Sequence, residues 1–259
     1  MRRWLRIGRL ALHVARGLFI TAFFFPFQND SQRKNEIRRW AGQLLAILGI
    51  RLQMHGVPSG DRPLMLVGNH VSWLDIFAVD AVLPVRFVAK KEVRSWPFVG
   101  WLSARCGTLF IDRAQRRDTT RINQLVTSAI NAGDVFAVFP EGTTTDGSTL
   151  LKFHASLLQP AMDAQAAVQP FAIRYERSDG SLCTEAAFDG VRSVWDTVLD
   201  MTTLETITAR LWFLAPIATA GGRHRRDITA QAREAISRTL QSLPNSRIGE
   251  ARDLRAEVR

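Results

Sequence analysis

The sequence predicts an α/β fold, in which helices flank a mostly parallel central sheet and an amphipathic helical hairpin precedes it. Three observations lead to this prediction. The chain has 259 residues, of which 46% are apolar, and this is enough for one well-packed domain. After residue 50, short apolar runs alternate with longer amphipathic ones, a pattern typical of parallel sheets. Before residue 50, the pattern indicates two amphipathic helices separated by a break.

The composition excludes several classes of protein. A disordered chain would hold fewer apolar residues, and a disulfide scaffold would be shorter and carry more than two cysteines. Cys106 and Cys183 suit a reducing compartment. The mean hydropathy of −0.03 is too low for a protein with many membrane spans. We expect a hairpin at 1–49, an α/β domain at 50–220, and a C-terminal helix with a charged tail at 221–259.

Positive charge is concentrated in the first 39 residues. The chain carries 34 Lys and Arg against 24 Asp and Glu, a formal net charge of +10. Seven of these net positive charges come from residues 1–39, which contain nine basic residues and only two acidic ones, Asp30 and Glu36. Such a balance indicates nucleic acid, an anionic membrane or a phosphorylated substrate as partner. Because the basic residues alternate with long aliphatic and Phe-rich stretches, a membrane is favoured and nucleic acid is not expected.

The first predicted helix combines a basic stripe with an apolar end. The basic residues are spaced four or three apart, so they share one face of a helix. They are Arg2, Arg6, Arg9, His13 and Arg16. The uncharged run GLFITAFFFPF at 17–27 follows, and it is shorter than the ~20 residues that a membrane span needs. The expected membrane-binding residues are Arg2, Arg6, Arg9, Arg16, Phe23, Phe24 and Phe25.

A second amphipathic helix is predicted from about Ser31 to Gly49, after a break at Pro26 and the polar residues 28–30. We interpret the pair as a hairpin in the interface of the inner membrane, on its cytoplasmic face, with the protein monotopic or peripheral. Three alternatives compete with this interpretation. A signal peptide is disfavoured by arginines up to position 16, and a transmembrane helix would be interrupted by Arg16. The third is a hairpin that packs in the core.

Seven strands and five further helices are predicted after the hairpin. The strands are Arg51–His55, Leu64–Gly68, Arg86–Ala89, Thr108–Ile111, Val135–Phe139, Val168–Tyr175 and Leu211–Leu214. The helices are Ser72–Leu83, Pro97–Ala104, Asp118–Asn131, Phe153–Ala164 and Ile228–Leu240. In such sheets, ligands bind beyond the carboxyl ends of the strands, so the residues that follow each strand are the candidates for a site.

His70 and Asp75 follow the second strand and form a candidate acid–base pair. A spacing of five is out of register on one helix, so the pairing requires His70 to lie in the turn before it. With Ser72 as the N-cap, Asp75 is at the third helical position, from which its carboxylate can reach back to the imidazole. A capping box beside a turn histidine is the alternative. Since no Gly-x-Ser-x-Gly sequence is present, the pair indicates activation of a substrate hydroxyl.

Two further groups of polar residues follow later strands. Arg113 comes after the fourth strand, where an arginine can hold a phosphate by two parallel bonds, unless it forms a surface ion pair with Asp112. Glu141 and Gly142 come after the fifth strand, where a carboxylate can accept hydrogen bonds and a glycine lets a ligand approach the backbone. A polar loop with a turn at 146–147 is the alternative there. Together with the hairpin, these groups indicate a phosphate-bearing lipid as substrate.

Four segments, in their order and spacing, resemble the motifs of the glycerolipid acyltransferases, the lysophosphatidate acyltransferase superfamily. They are NHVSWLD at 69–75, GTLFIDR at 107–113, FPEGT at 139–143 and VQPFA at 168–172. The resemblance covers roughly residues 50–180 and implies a glycerol-3-phosphate acyltransferase-like fold. It implies transfer of a fatty acyl chain from acyl-CoA or acyl-carrier protein to the free hydroxyl of a lysophospholipid, without a cofactor or a metal.

The resemblance also implies a role for individual residues. His70 is the general base for direct attack of the hydroxyl on the thioester, and Asp75 orients it. The residues implied in substrate binding are Asn69, Arg113, Glu141, Gly142, Thr143 and Pro170. The first expected acceptor is 1-acylglycerol-3-phosphate, which gives phosphatidic acid. Thr144 stands where many lysophosphatidate enzymes have arginine, so another lysolipid such as lyso-ornithine lipid stays open, as does a non-catalytic basic membrane-binding protein.

Overall fold

A seven-stranded sheet lies at the centre of the computed structural model, which describes residues 2–112, 115–188, 193–204, 206–243 and 249–250. The strands in these residues are β1 Ile50–His55, β2 Leu64–Gly68, β3 Arg86–Lys90, β4 Leu109–Ile111, β5 Phe136–Val138, β6 Thr149–Leu150, β7 Ala167–Glu176, β8 Ile207–Phe213 and β9 Gly249–Glu250. Strands β6 and β9 form a separate parallel pair, and the other seven form the main sheet.

The main sheet has the strand order β1-β8-β7-β2-β5-β3-β4. All neighbours run parallel except β7 and β8. The predicted α/β class with a mostly parallel sheet is therefore confirmed. Since β2 lies between β5 and β7 and is parallel to both, the segments that follow β2 and β5 leave the sheet at the same edge, where β7 also ends.

Helices cover both faces of this sheet. The α-helices are α1 Arg2–Phe23, α2 Asp30–Ile47, α3 Leu74–Asp80, α4 Val99–Arg105, α5 Arg116–Asn131, α6 Gln159–Asp163, α7 Val194–Met201 and α8 Arg225–Gln241. The short 3-10 helices are Phe25–Phe27, Lys91–Ser95, Ala155–Leu158 and Thr184–Ala186. One face packs against α2, α3 and α7 around Leu44 and Tyr175. The other packs against α5, α6 and α8 around Met65 and Ile236.

Most predicted elements are present, with shifts that have local causes. Strand β8 begins at Ile207, whereas the sequence predicted a start at Leu211. The first half of the strand alternates buried and half-buried residues, so it does not stand out in the sequence as a continuous apolar run. The predicted helix at 153–164 divides into a 3-10 turn and α6. Helix α7 was not predicted, although Ser193 and Asp196 form a capping box at its start. Of the expected charged tail, residues 244–248 and 251–259 lie outside the described residues.

The hairpin is present, and its break is explained by a helix cap. Asn29 accepts a hydrogen bond from the backbone N–H of Gln32, and the Gln32 side chain accepts one from the backbone of Asn29, which starts α2. Within the part of the chain that the structure covers, we find no helix both long and apolar enough for a membrane crossing. Leu5, Leu12 and Phe19 are exposed along one face of α1, beside the basic stripe.

Two residues of the predicted basic stripe face the protein instead. The His13 ring is buried and stacks on Trp40, with ring centroids 4.7 Å apart and Nε2 3.0 Å from the Trp40 carbonyl oxygen. Burial lowers the pKa of His13, so the neutral ring packs here. Arg6 donates from Nη1 to the Leu204 carbonyl oxygen at 2.7 Å. The predicted basic stripe is therefore only partly exposed, because Arg6 and His13 on one edge of it contact neighbouring parts of the protein.

The expectation that Phe25 contacts the membrane is also corrected. Phe25 is 7% exposed, because the turn folds it back against the protein, where its carbonyl oxygen accepts a hydrogen bond from Arg33. Phe23 and Phe24 are exposed, and Phe27 is 89% exposed. Of the expected arginines, Arg9 and Arg16 are exposed, Arg16 also donating to Gln43, and the Arg2 side chain lies outside the described residues.

Candidate active site

Asn69 fixes the point at which the chain leaves the sheet. Its side chain donates to the carbonyl oxygen of Ile173 at 2.9 Å and accepts from the backbone N–H of Ile173 at 2.8 Å. The side chain thus continues the pairing of β2 with β7 after the backbone turns away. Just before it, a Cβ on Gly68 would lie 2.2 Å from the Phe171 ring, so only glycine fits there. The next residue, His70, is therefore held at the edge of the sheet.

His70 and Asp75 are in contact, as the sequence predicts. Nδ1 of His70 lies 2.7 Å from Oδ2 of Asp75. The same oxygen accepts backbone N–H bonds from Val71 at 2.7 Å and Ser72 at 2.9 Å. The carboxylate is fully buried and accepts several bonds, so it holds the turn and the ring together.

The predicted N-cap is wrong. Helix α3 begins after Trp73, which makes no side-chain cap, and the Ser72 hydroxyl is buried without a hydrogen-bond partner in the described part of the chain. Asp75 is thus in the first turn and reaches back to backbone N–H groups rather than to a serine cap. The expected contact between the Asp75 carboxylate and the His70 imidazole still forms, because the carboxylate points towards the residues that precede the helix.

Tyr175 completes the surroundings of the carboxylate, and sequence reasoning missed it. Its phenol donates to Oδ1 of Asp75 at 2.8 Å from a fully buried position at the end of β7. Burial and the neighbouring carboxylate raise the pKa of Tyr175 well above its ordinary value, so the phenol keeps its proton and acts as a donor. A signal was present: this is the single tyrosine of the chain, and it shares a strand face with Ile173 and Phe171.

The His70 ring has a fixed orientation and one open nitrogen. It stacks on Phe139, with centroids 4.0 Å apart and planes 10° apart. Because a carboxylate accepts at Nδ1, that atom carries the proton and Nε2 presents a lone pair. In the described residues Nε2 has no hydrogen-bond partner, and 19% of the side chain is exposed. The ring is thus prepared to accept a proton from a molecule outside the protein.

Glu141 holds the backbone of His70. Its Oε1 accepts from the His70 N–H at 2.7 Å and its Oε2 from the Leu151 N–H at 2.8 Å. Burial raises the pKa of Glu141 to about 7, while these two N–H bonds act in the opposite direction. Thr145 donates its N–H to the carbonyl oxygen of His70 at 2.9 Å. The loop after β5 therefore fixes both sides of the His70 peptide.

The other predicted site residues are placed in different ways. Gly142 follows in a left-handed conformation with φ of 75°, and Thr143 is exposed beside it. Pro170 is buried within β7, opposite Val67 of β2 and short of the edge. Arg113 lies outside the described residues. Its neighbour Asp112 forms an ion pair with Lys91, with 3.3 Å between Nζ and Oδ2.

A carboxylate–imidazole pair at the carboxyl edge of a mostly parallel sheet can accept a proton from a hydroxyl group. Comparison with known proteins shows the class of enzyme. Residues 50–174 match the profile of a family described as Acyltransferase. A lyso-ornithine lipid O-acyltransferase of Pseudomonas aeruginosa is 35% identical over 246 residues, covering 93% of this chain and 94% of that protein.

One further relative supports the same assignment, and one solved structure shows the same fold. A 1-acyl-sn-glycerol-3-phosphate acyltransferase of Neisseria meningitidis is 36% identical over 198 residues, covering 74% of this chain and 76% of that protein. The crystal structure of the 1-acyl-sn-glycerophosphate (LPA) acyltransferase PlsC of Thermotoga maritima has the same fold. It matches with a TM-score of 0.66 and 22% identity, over 91% of this chain and 96% of that one. The chain belongs to the acyltransferase family and is an acyltransferase.

Proposed function

We propose that the enzyme transfers a fatty acyl chain from an acyl thioester to the free hydroxyl of a lysolipid at the membrane surface. The observation that carries this proposal is the 2.7 Å contact between Nδ1 of His70 and Oδ2 of Asp75, with Nε2 left open. This arrangement suits a general base, because the orienting carboxylate determines which nitrogen accepts the proton.

The reaction needs no covalent enzyme intermediate. The lysolipid hydroxyl gives its proton to Nε2 of His70 as its oxygen attacks the thioester carbonyl carbon. The tetrahedral adduct then collapses, the C–S bond breaks, and the leaving thiolate takes the proton from the imidazolium. Asp75 stabilises the imidazolium while it exists, as a carboxylate does for a catalytic histidine in hydrolases.

Five of the six predicted binding residues divide into two groups, and the sixth, Pro170, is proposed to shape the side of the site that binds the acyl donor. We assign a positioning role to Asn69 and Glu141, since both ends of each side chain are engaged by backbone groups. Contact with the lysolipid headgroup is proposed for Arg113, Gly142 and Thr143, which follow the ends of β4 and β5. Arginine is suited to this task because its guanidinium holds a phosphate or carboxylate by two parallel bonds.

The first proposed acceptor is 1-acylglycerol-3-phosphate, with phosphatidic acid as the product. The Neisseria relative supports it, since its name states this substrate. A second acceptor, lyso-ornithine lipid, is favoured by the Pseudomonas relative, which aligns with nearly the whole chain. It is also favoured by Thr144, at a position where the resemblance leads us to expect an arginine for lysophosphatidate.

The proposed donor is acyl-CoA or acyl-carrier protein, and the proposed location is the cytoplasmic face of the inner membrane. The exposed face of α1 supports membrane association. Leu5, Leu12 and Phe19 are exposed at intervals of seven residues along α1, and Arg9 and Arg16 are exposed on the same helix, as in helices that lie in a membrane interface. Such a helix binds one leaflet without crossing it.

The test is a panel of acceptors with one labelled acyl-CoA. The purified enzyme is given 1-acylglycerol-3-phosphate, lyso-ornithine lipid or lysophosphatidylethanolamine, and acylated products are measured. We expect product from one of the first two, and a ~10²–10⁴-fold lower kcat/KM for His70→Ala. His55→Ala is the matched control, because β1 runs opposite to β2 and places His55 at the other edge of the sheet.

Each outcome of the panel decides one point. Product from lyso-ornithine lipid alone selects the second acceptor. No product from any lysolipid, either in this panel or in a repeat with labelled acyl-carrier protein as the donor, overturns the proposed function. A His70→Ala variant that remains as active as His55→Ala overturns it as well.

A further inference from the structure

We propose that residues 96–101, here called the aromatic segment, form a second membrane-binding element that seats the α/β domain on the same bilayer as the hairpin. The proposal rests on the membrane association put forward under the proposed function. It adds a surface from another part of the chain, and an anionic lipid bilayer as the partner of that surface.

Exposed apolar side chains are clustered in these two places. Among the described residues, fifteen large apolar side chains are exposed, of which seven belong to the hairpin and four to the aromatic segment. Those four are Trp96, Phe98, Val99 and Trp101. The other four are spread over the rest of the molecule. Single exposed apolar residues are ordinary, whereas a cluster marks an interaction surface.

The backbone of the aromatic segment directs Phe98 outwards. Phe98 has φ of 61° and ψ of −48°, and across it the N–H of Val99 donates to the Pro97 carbonyl oxygen at 2.6 Å. This three-residue turn is rare and strained for a residue with a side chain. Its result is a phenylalanine that is 66% exposed. The strain is therefore not offset by packing of this ring inside the protein.

Positive charge surrounds the aromatic segment. Between residues 90 and 105 the sequence has Lys90, Lys91, Arg94 and Arg105 against Glu92. The Arg105 guanidinium lies over the Trp101 ring, 5.4 Å from its centroid, and Arg105 has no ion pair in the residues that the structure covers. Aromatic rings at the interface and cations at the phosphate level are the two features that bind proteins to anionic leaflets.

The aromatic segment adjoins the hairpin. Helix α1 contacts α4, which contains Val99 and Trp101. A cleft of about 200 Å³ lies between the hairpin turn and the end of α4, and its lining includes Phe25 and Arg33 from the hairpin and Arg105 from α4. Because α1 and α4 are in contact, we infer that a bilayer on the exposed face of α1 extends to Trp101 and Arg105. This continuity favours a lipid surface over an acidic carrier protein as the occupant.

Vesicle sedimentation of the full-length protein tests the proposal. The probe is vesicles of equimolar phosphatidylglycerol and phosphatidylcholine. We expect Phe98→Ser to lower the partition coefficient about tenfold, because the variant loses an aromatic ring that is partly buried in the bilayer. Leu125→Ser is the matched control, because Leu125 is also exposed but lies on α5, which packs on the opposite face of the sheet, and it is expected to bind as the wild type does.

A second variant tests the contribution of positive charge beside the aromatic segment. Arg105→Gln is expected to lower the partition about fivefold on the anionic vesicles and to leave binding to pure phosphatidylcholine unchanged. Arg226→Gln, at an exposed arginine of α8 on the other face, is the control. Thermal unfolding of each variant shows whether the fold is kept.

The outcomes separate this proposal from the proposed function. If the wild type sediments and Phe98→Ser sediments equally well, the aromatic segment is not a membrane element and the proposal is overturned. The same holds if Phe98→Ser binds vesicles normally but raises KM for an acyl-carrier-protein donor. If the wild type does not sediment at all, membrane association fails as a whole, while the acceptor panel still decides the chemistry.

Discussion

Helix α3 carries a buried aspartate at each end, and the two ends differ in the donors that surround the carboxylate. Asp75, in the first turn, accepts bonds from an imidazole, a phenol and two backbone N–H groups. Asp80, the last residue, accepts one bond, from the Val85 N–H at 3.1 Å. Burial raises the pKa of Asp80 to about 8, so at neutral pH this carboxyl carries a proton.

The comparison shows that residue type and burial do not by themselves mark a catalytic carboxylate. Both side chains are under a tenth exposed, and both lie on one short helix. The donors decide the difference. The Asp75 carboxylate has four donors around it, whereas a buried carboxyl with a single donor, such as that of Asp80, is more stable when neutral.

The largest effect is expected at the first end of the helix. Asp75→Asn should lower kcat/KM by ~10²–10⁴-fold, because an amide cannot both accept from Nδ1 of His70 and stabilise the imidazolium. The measurement is steady-state kinetics on the acceptor that the panel selects. Asp80→Asn, the same substitution at the other end, should keep wild-type kcat/KM. Equal activity of the two variants would contradict the distinction between the ends.

A smaller effect is expected from the phenol that supports Asp75. Tyr175→Phe keeps the ring and removes one hydrogen bond to a charged acceptor, worth about 1.5–3 kcal/mol. We expect kcat to fall about tenfold or more, with KM unchanged, because Tyr175 holds the carboxylate rather than the lysolipid. A role in folding alone would instead lower the melting temperature and leave kcat at its wild-type value.

The sequence predicted the parts of this site that are close together in the chain. His70 and Asp75 are five residues apart, so the strand end and the start of a helix were enough to pair them. Tyr175 is 100 residues from Asp75, and Ile173 is 104 residues from Asn69. No local pattern states which distant side chains meet, since the strand order determines it.

The hairpin shows the same limit on a smaller scale. Phe23, Phe24 and Phe25 stand in one apolar run, and hydropathy treats them alike. The geometry of the turn buries Phe25 and exposes the other two. His13 likewise fits a basic stripe by spacing, yet its ring packs on Trp40. A periodic pattern thus predicts a helix and its faces but not the width of the buried face.

The mildest effect is expected at the second end of α3, in stability rather than activity. The pKa of Asp80 rises from 3.8, its ordinary value, to about 8 in the folded protein because of burial. Between these values the folded state holds a proton that the unfolded chain has released. The folded state binds more protons, so the free energy of unfolding falls as the pH rises towards about 8.

Asp80→Asn cannot titrate and should remove this part of the pH dependence. Urea unfolding at a series of pH values measures it: the free energy of unfolding of the variant should fall less steeply than that of the wild type between about pH 4 and about pH 8. Asp163→Asn, at an exposed aspartate of α6, is the control and should follow the wild-type curve. Parallel curves for Asp80→Asn and the wild type would mean that Asp80 is ionised in the folded protein. The number of hydrogen-bond donors would then not distinguish the two ends of α3.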